Sequence, residues 1–176
     1  MRRLNPTPPP LVAPIIKSRH TARAIIVNNK DILLVYTKRY NDFSLPGGGI
    51  DEGESVIDAL KRELKEEIGA YDISIDAPFG VYEEYRADRK CSNTQWHIQS
   101  FYFHCSLNAP LQPPTPEEYE VHSGMEPTWI RIEDAIAHNE QTAKSEFAGL
   151  SLARELSVLR TLRKDILTNN IKGLQL

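Results

Sequence analysis

Polar positions interrupt the first third of the chain around two apolar, β-branched runs. Thr21 to Val27 and Asp31 to Thr37 read as strands joined by the tight turn Asn28-Asn29-Lys30. Phe43-Ser44-Leu45 is a short third strand leading into Pro46-Gly47-Gly48-Gly49, a turn that no regular element is expected to cross. The period then changes from two to three-and-four. Val56, Ile57, Leu60, Leu64 and Ile68 form an apolar stripe, so a helix is expected over Val56 to Ile68. Ser55 supplies its N-cap, and Gly69 suits a left-handed C-terminal position.

Strand patterning returns from Ile73 to Arg86, with Pro78 and Gly80 marking a bend or bulge. Ala87 to Thr94 reads as a hairpin tip, and Trp96 to Ser106 as a further strand. Ala109 to Met125 is rich in Pro and Glu and is expected to be a long loop. Pro127 to Ile132 reads as the last strand and Glu133 to Asn139 as a short helix. Ser145 to Thr168 follows as a long amphipathic helix whose inward face carries Phe147, Leu152, Leu156, Leu159, Leu162 and Ile166. Interleaved strands and helices, with helices for both faces, predict an α/β/α sandwich around a mixed sheet. The expected division is a proline-rich arm over 1–18, one folded domain over 19–168 and a tail over 169–176.

The helix of 56–68 carries more than a core stripe. At ~100° per residue, with Leu60 at zero, Glu67 falls near about −20° and Glu63 near about −60°. Both lie in or beside the apolar arc, and Glu66 follows at about −120°. A buried carboxylate must be paired or bind a metal. Periodicity alone is also met by a lysine- and glutamate-rich surface helix with i,i+4 pairs. The glycine turn and the additional Glu54 weigh toward the functional reading.

Composition narrows the partners. The 176 residues are 40% hydrophobic and 26% charged, ordinary for one soluble domain with a sizeable core. A net charge of −3 speaks against a protein that coats a nucleic-acid polymer, but permits a single nucleotide held by a local basic patch. Cys91 and Cys105 form neither a ligand spacing nor a disulfide framework, so reduced thiols in a cytoplasmic protein are expected. No apolar run approaches a membrane span, and prolines interrupt any signal-peptide pattern after Arg2 and Arg3.

Gly48, five residues, Glu54, seven residues, then Arg62-Glu63-Leu64-x-Glu66-Glu67-x-Gly69-Ala70 resembles the Nudix box. Every polar and glycine position of that pattern is filled; Ala70 stands where a larger aliphatic residue is usual. The resemblance, extended by the flanking elements over about Arg19 to Ile166, implies the Nudix α/β/α fold. It implies hydrolysis of a nucleoside diphosphate linked to another group: a nucleoside triphosphate, a dinucleoside polyphosphate or a nucleotide sugar. The cofactor implied is Mg²⁺ or Mn²⁺, held by the carbonyl of Gly47 and by Glu63, Glu66 and Glu67. Arg62 would orient a glutamate, and Glu54 would cap the box or help with outer ligation. Many relatives dimerise, so a homodimer is an expectation. A non-catalytic nucleotide-binding regulatory module is the alternative, though such domains usually lose box glutamates. Isopentenyl diphosphate isomerases share the fold but need a catalytic cysteine, and neither cysteine lies near this box. An adaptor role would rest on the proline arm alone.

Substrate contacts are expected outside the box. Arg23, Lys38 and Arg39 could meet phosphate oxygens, where arginine bonds in bidentate fashion, or could be a solvated face. Tyr85 stands near a position that resembles the dinucleoside polyphosphate group, and Tyr36, Tyr82, Tyr85 and Trp96 are candidates to stack on a base. Among Glu117, Glu118 and Glu120, the last is the first choice for a further catalytic carboxylate, against an acidic solvated loop. His97 and His104 read as ordinary strand residues.

Overall fold

The computed structural model describes residues 1–6, 8, 15–88, 90–91, 93–116, 118–146 and 148–168. Its centre is β1 (Ile15–Asn28), whose side chains alternate between two cores. Ala22, Ala24 and Ile26 face the box helix α1 (Val56–Ile68), while Ile25 faces the opposite core. A strand apolar on both faces is what a sheet sandwiched between helices requires. The parallel partner of β1 is β6 (Thr94–Leu107), which pairs antiparallel with β5 (Ile73–Ala87). The far end of β1 turns at Asn28 into β2 (Asp31–Thr37), flanked by β3 (Asp42–Ser44) and β7 (Met125–Arg131). Helices α3 (Ile132–Thr142) and α4 (Leu152–Leu167) close the second face over Ile25, Leu34 and Tyr102. This is the mixed α/β sandwich expected.

Four boundaries differ from the sequence reading. The glycine run is crossed by a regular element: β4 (Gly47–Gly49) pairs antiparallel with Thr21 to Arg23. Gly47 has φ +123°, and a Cβ there would lie 2.2 Å from the Ala22 carbonyl oxygen, so the glycine permits a close backbone approach rather than a turn. The stretch Ala109 to Met125 is not all loop, because α2 (Glu118–Ser123) forms within it and Met125 opens β7. The last helix begins at Leu152, not Ser145; turns fill the described residues before it, and Leu150 stays exposed. Phe147 lies outside the described residues. Finally, β1 starts at Ile15, and upstream of it Leu4 is buried beside Phe79 while its N–H donates to Val81 O. Thus Arg3 and Leu4 pair with the free edge of β5.

The box helix forms as its pattern predicts. Ser55 Oγ accepts from the Asp58 N–H at 3.1 Å and donates to the Asp58 carboxylate at 2.7 Å. Gly69 takes φ +68° and closes the C-terminus on Lys65 O. Leu60, Leu64 and Ile68 are fully buried, worth roughly 1.5–3 kcal/mol each. No described helix is long and apolar enough to cross a membrane.

Candidate active site

Glu63 and Glu67 are buried beside Leu60 and Leu64, as the helical geometry places them, and Glu66 is half-buried at the edge. Burial pushes the Glu63 carboxyl above the usual carboxylate range, against the opposing pull of the adjoining Arg62 guanidinium. Glu67 Oε2 accepts from the Gly47 N–H at 2.6 Å. That bond ties the helix to β4, the strand beside Arg23. The packing is tight: a Cβ on Gly48 would meet the Glu63 carboxylate within 2.5 Å.

Arg62 is the hub of the box. Its Nε and Nη2 clasp both oxygens of Glu54 at 3.1 Å each, and Nη2 also donates to Gly49 O at 3.0 Å. Its Nη1 lies between Glu63 at 2.9 Å and Glu66 at 3.1 Å. The hydrogen bonds to Glu54, with Glu63 beside them, raise the already high pKa of the Arg62 guanidinium, which in turn holds Glu54 below the usual carboxylate range. Among the described residues, no three acid, histidine or cysteine side chains converge closely enough to ligate a cation as they stand. Glu63 and Glu66 are turned to Arg62 instead, and Glu67 to a backbone N–H.

Beside this cluster opens a cleft of about 500 Å³ lined by Glu67, Arg23, Arg86, Asp42, Tyr40 and the turn before α4. Arg23 pairs in register with Gly47 and donates from Nη1 to Leu45 O at 3.1 Å. Arg86, which sequence reasoning passed over, bonds Glu84 at 2.8 Å; Glu84 also accepts from Arg154 at 2.9 Å. Arg154 in turn holds Glu155, whose other oxygen accepts from the Leu45 N–H at 3.1 Å. A buried ion ladder on α4 therefore fixes both Arg86 and the chain leading to Gly47.

The other expected substrate residues are placed elsewhere. Arg39 lies over the Tyr40 ring and faces a separate groove with Asn41 and Gln141. Lys38 packs beside Gly124. Tyr85 stacks on His97 at 4.7 Å. Tyr36 packs on Phe43, Tyr82 on the core, and Trp96 donates to Asp88 while Lys17 covers its ring. The aromatic residue that lines the cleft is Tyr40. Glu117 and the Glu120 side chain lie outside the described residues, whereas Glu118 is exposed on α2.

A model of the NUDIX domain matches residues 18–149 of the chain. The chain belongs to the NUDIX domain family. Its fold is similar to the NUDIX hydrolase from Nitrosomonas europaea, with a TM-score of 0.56 and 20% identity over 84% of this chain and 91% of that one. The solution structure of the E. coli ORF135 protein gives a TM-score of 0.51 at 22% identity, covering 84% and 92%. Likeness at that identity concerns the fold. Sequence similarity is higher but shorter. A putative 8-oxo-dGTP diphosphatase of Bacillus subtilis is 43% identical over 63 residues, 35% of this chain and 42% of that protein. An RNA pyrophosphohydrolase of Ruthia magnifica is 52% identical over 46 residues, 26% of each. The chain thus spans a quarter to two fifths of the length of these curated relatives.

Proposed function

We propose that this NUDIX protein is a metal-dependent hydrolase that cleaves the diphosphate of a nucleoside diphosphate linked to another group. One observation carries the reading. Two glutamates, Glu63 and Glu67, are buried against their own helix's apolar stripe, and Glu67 lines a cleft that also holds Arg23 and Arg86. A helix evolved only for packing would fill those positions with apolar side chains. The diphosphatase and pyrophosphohydrolase names of the relatives in part of the chain agree with this.

The donor set is all oxygen, from Glu63, Glu66, Glu67 and the Gly47 carbonyl, which suits Mg²⁺ or Mn²⁺ over zinc. When bound, such a cation neutralises diphosphate charge and polarises the phosphorus centre. The protein's own groups do the rest. Arg23 and Arg86 draw the phosphate chain into the cleft by charge-assisted bonds. Arg62 restrains Glu54, Glu63 and Glu66, so that these carboxylates stay together despite their mutual repulsion. A box glutamate orients or deprotonates the attacking water. Glu120 remains the candidate for a further carboxylate from the segment before β7.

The test is a panel of nucleoside triphosphates, dinucleoside polyphosphates and nucleotide sugars, assayed with Mg²⁺ and with Mn²⁺ and with products identified. Turnover that EDTA abolishes is expected. Nucleotide binding without turnover of any member would favour a regulatory module instead. An inositol or sugar diphosphate as best substrate would remove the nucleotide half of the reading and leave the hydrolase half.

A further inference from the structure

Asp42 opens β3, lines the cleft and is only 5% exposed. Among the described residues, nothing donates a hydrogen bond to its carboxylate and no cation pairs with it. The nearby charge is unfavourable: Glu155 lies close enough to repel it, and His138 offers only a weaker counterweight. Burial and Glu155 together push the carboxyl up to about 6. A secluded acid without a structural partner is costly, and such groups concentrate at functional sites.

Its surroundings show what could satisfy it. A Cβ built on Gly149 would lie 2.8 Å from Asp42 Oδ2 and 3.7 Å from Tyr40 Cβ, so both side chains border the same glycine. Any side chain at 149 would press on the carboxylate. Tyr40 is 40% exposed, and the Arg39 guanidinium lies 5.6 Å from its ring centroid. The same cleft is lined by Arg23, Arg86 and Glu67. Cationic charge therefore lies in the cleft with Arg23 beside the box, while an aromatic ring and a partnerless carboxylate border Gly149 before α4.

We infer that Asp42 reads the base of the substrate, its two oxygens accepting the paired ring N–H and exocyclic amino group of a guanine edge while Tyr40 stacks on the ring. The inference rests on the nucleotide reading proposed above. Guanine presents two parallel donors there, which match a carboxylate; adenine presents one donor and one acceptor, which do not. Hypoxanthine keeps the ring N–H and lacks the amino group.

Binding of GDP, IDP and ADP, measured by titration calorimetry on the full chain without metal, tests this on the wild-type protein alone. GDP is expected to bind about tenfold or more tighter than IDP and ADP, the scale of a good bidentate base contact. In Asp42→Asn, which preserves shape and replaces one acceptor by a donor, the GDP to IDP ratio should fall to within about twofold. Equal affinities of the wild type for GDP and IDP, preference for ADP, or an undiminished GDP preference in a folded Asp42→Asn would each overturn the assignment. If equal binding accompanies turnover of nucleoside triphosphates, the nucleotide reading stands and Asp42 alone fails. If none of the three binds while an inositol or sugar diphosphate is hydrolysed, the nucleotide reading falls and takes this inference with it.

Discussion

At the scale of single residues, the chain keeps carboxylates where packing would exclude them. Glu67 is the clearest case, since its Oε2 holds the Gly47 N–H at 2.6 Å. Glu67→Gln retains a side-chain oxygen able to accept that bond but loses the charge. We expect kcat to fall by about 10²-fold or more, the scale of losing a principal electrostatic stabiliser, with the circular dichroism spectrum preserved. Near wild-type turnover in the variant would sink the metal mechanism. Asp42 supplies a second measurement, on stability. Its folded pKa of about 6 exceeds the ordinary aspartate value of 3.8, so the folded state binds more protons than the unfolded state between those values. Stability is therefore lost as pH rises through that window, and the cost is complete above it. Asp42→Asn should match wild type near pH 4 and be more stable at pH 7–8, by up to about 3 kcal/mol. Denaturant melts at the two pH values check the sign; a gap that is the same at both would show that Asp42 does not titrate in the window.

Among the elements, α1 was the most legible, because its caps and its three-and-four spacing act within one helix turn of each other. The Ser55 cap, the Gly69 stop and the burial of Glu63 and Glu67 all follow from local chemistry. What was not legible depended on partners distant in the chain. Gly47 to Gly49 becomes a strand only because Thr21 to Arg23 lies beside it. Arg86 enters the site because Glu84 and Arg154 hold it, and Tyr40 rather than Tyr36 or Tyr85 lines the cleft because of where β2 ends. One missed signal was present. With Leu152 at zero, Leu156 falls near about +40°, Leu159 near −20° and Leu162 near −80°, while Glu155 falls near −60°, inside the stripe. Glu155 thus stands in its own helix's apolar arc just as Glu63 and Glu67 do in theirs. The glycine next to the helix gives a further test. Gly48→Ala would drive a Cβ into the Glu63 carboxylate, so the variant must displace Glu63 or β4. Activity should drop at least tenfold while Tm changes by only a few degrees, because the clash is with the far end of one side chain. Unchanged activity would mean that the position of Glu63 is not critical to turnover.

For the whole molecule, the ladder through Arg154 joins parts that the sequence keeps far apart. Arg154 sits on α4, nine-tenths or more buried, and bonds Glu84 on β5 and Glu155 on its own helix. Glu155 then reaches the Leu45 N–H, two residues before Gly47. Removing the cation strands the Glu155 carboxylate in a low-dielectric interior and leaves Glu84 to Arg86 alone, which is costlier than losing the pair. Arg154→Met should destabilise the fold by about 3–5 kcal/mol. The double variant Arg154→Met with Glu155→Gln removes that stranded charge yet keeps an oxygen for Leu45, so it should be more stable than the single variant. Denaturant unfolding of the wild type, the two single variants and the double variant yields the coupling directly. A loss below about 1 kcal/mol in Arg154→Met would show that water or rearrangement relieves the glutamates, and that the ladder does not brace the cleft. A stable Arg154→Met protein with raised KM and unchanged kcat would instead mark the ladder as a support for Arg86 and its hold on phosphate.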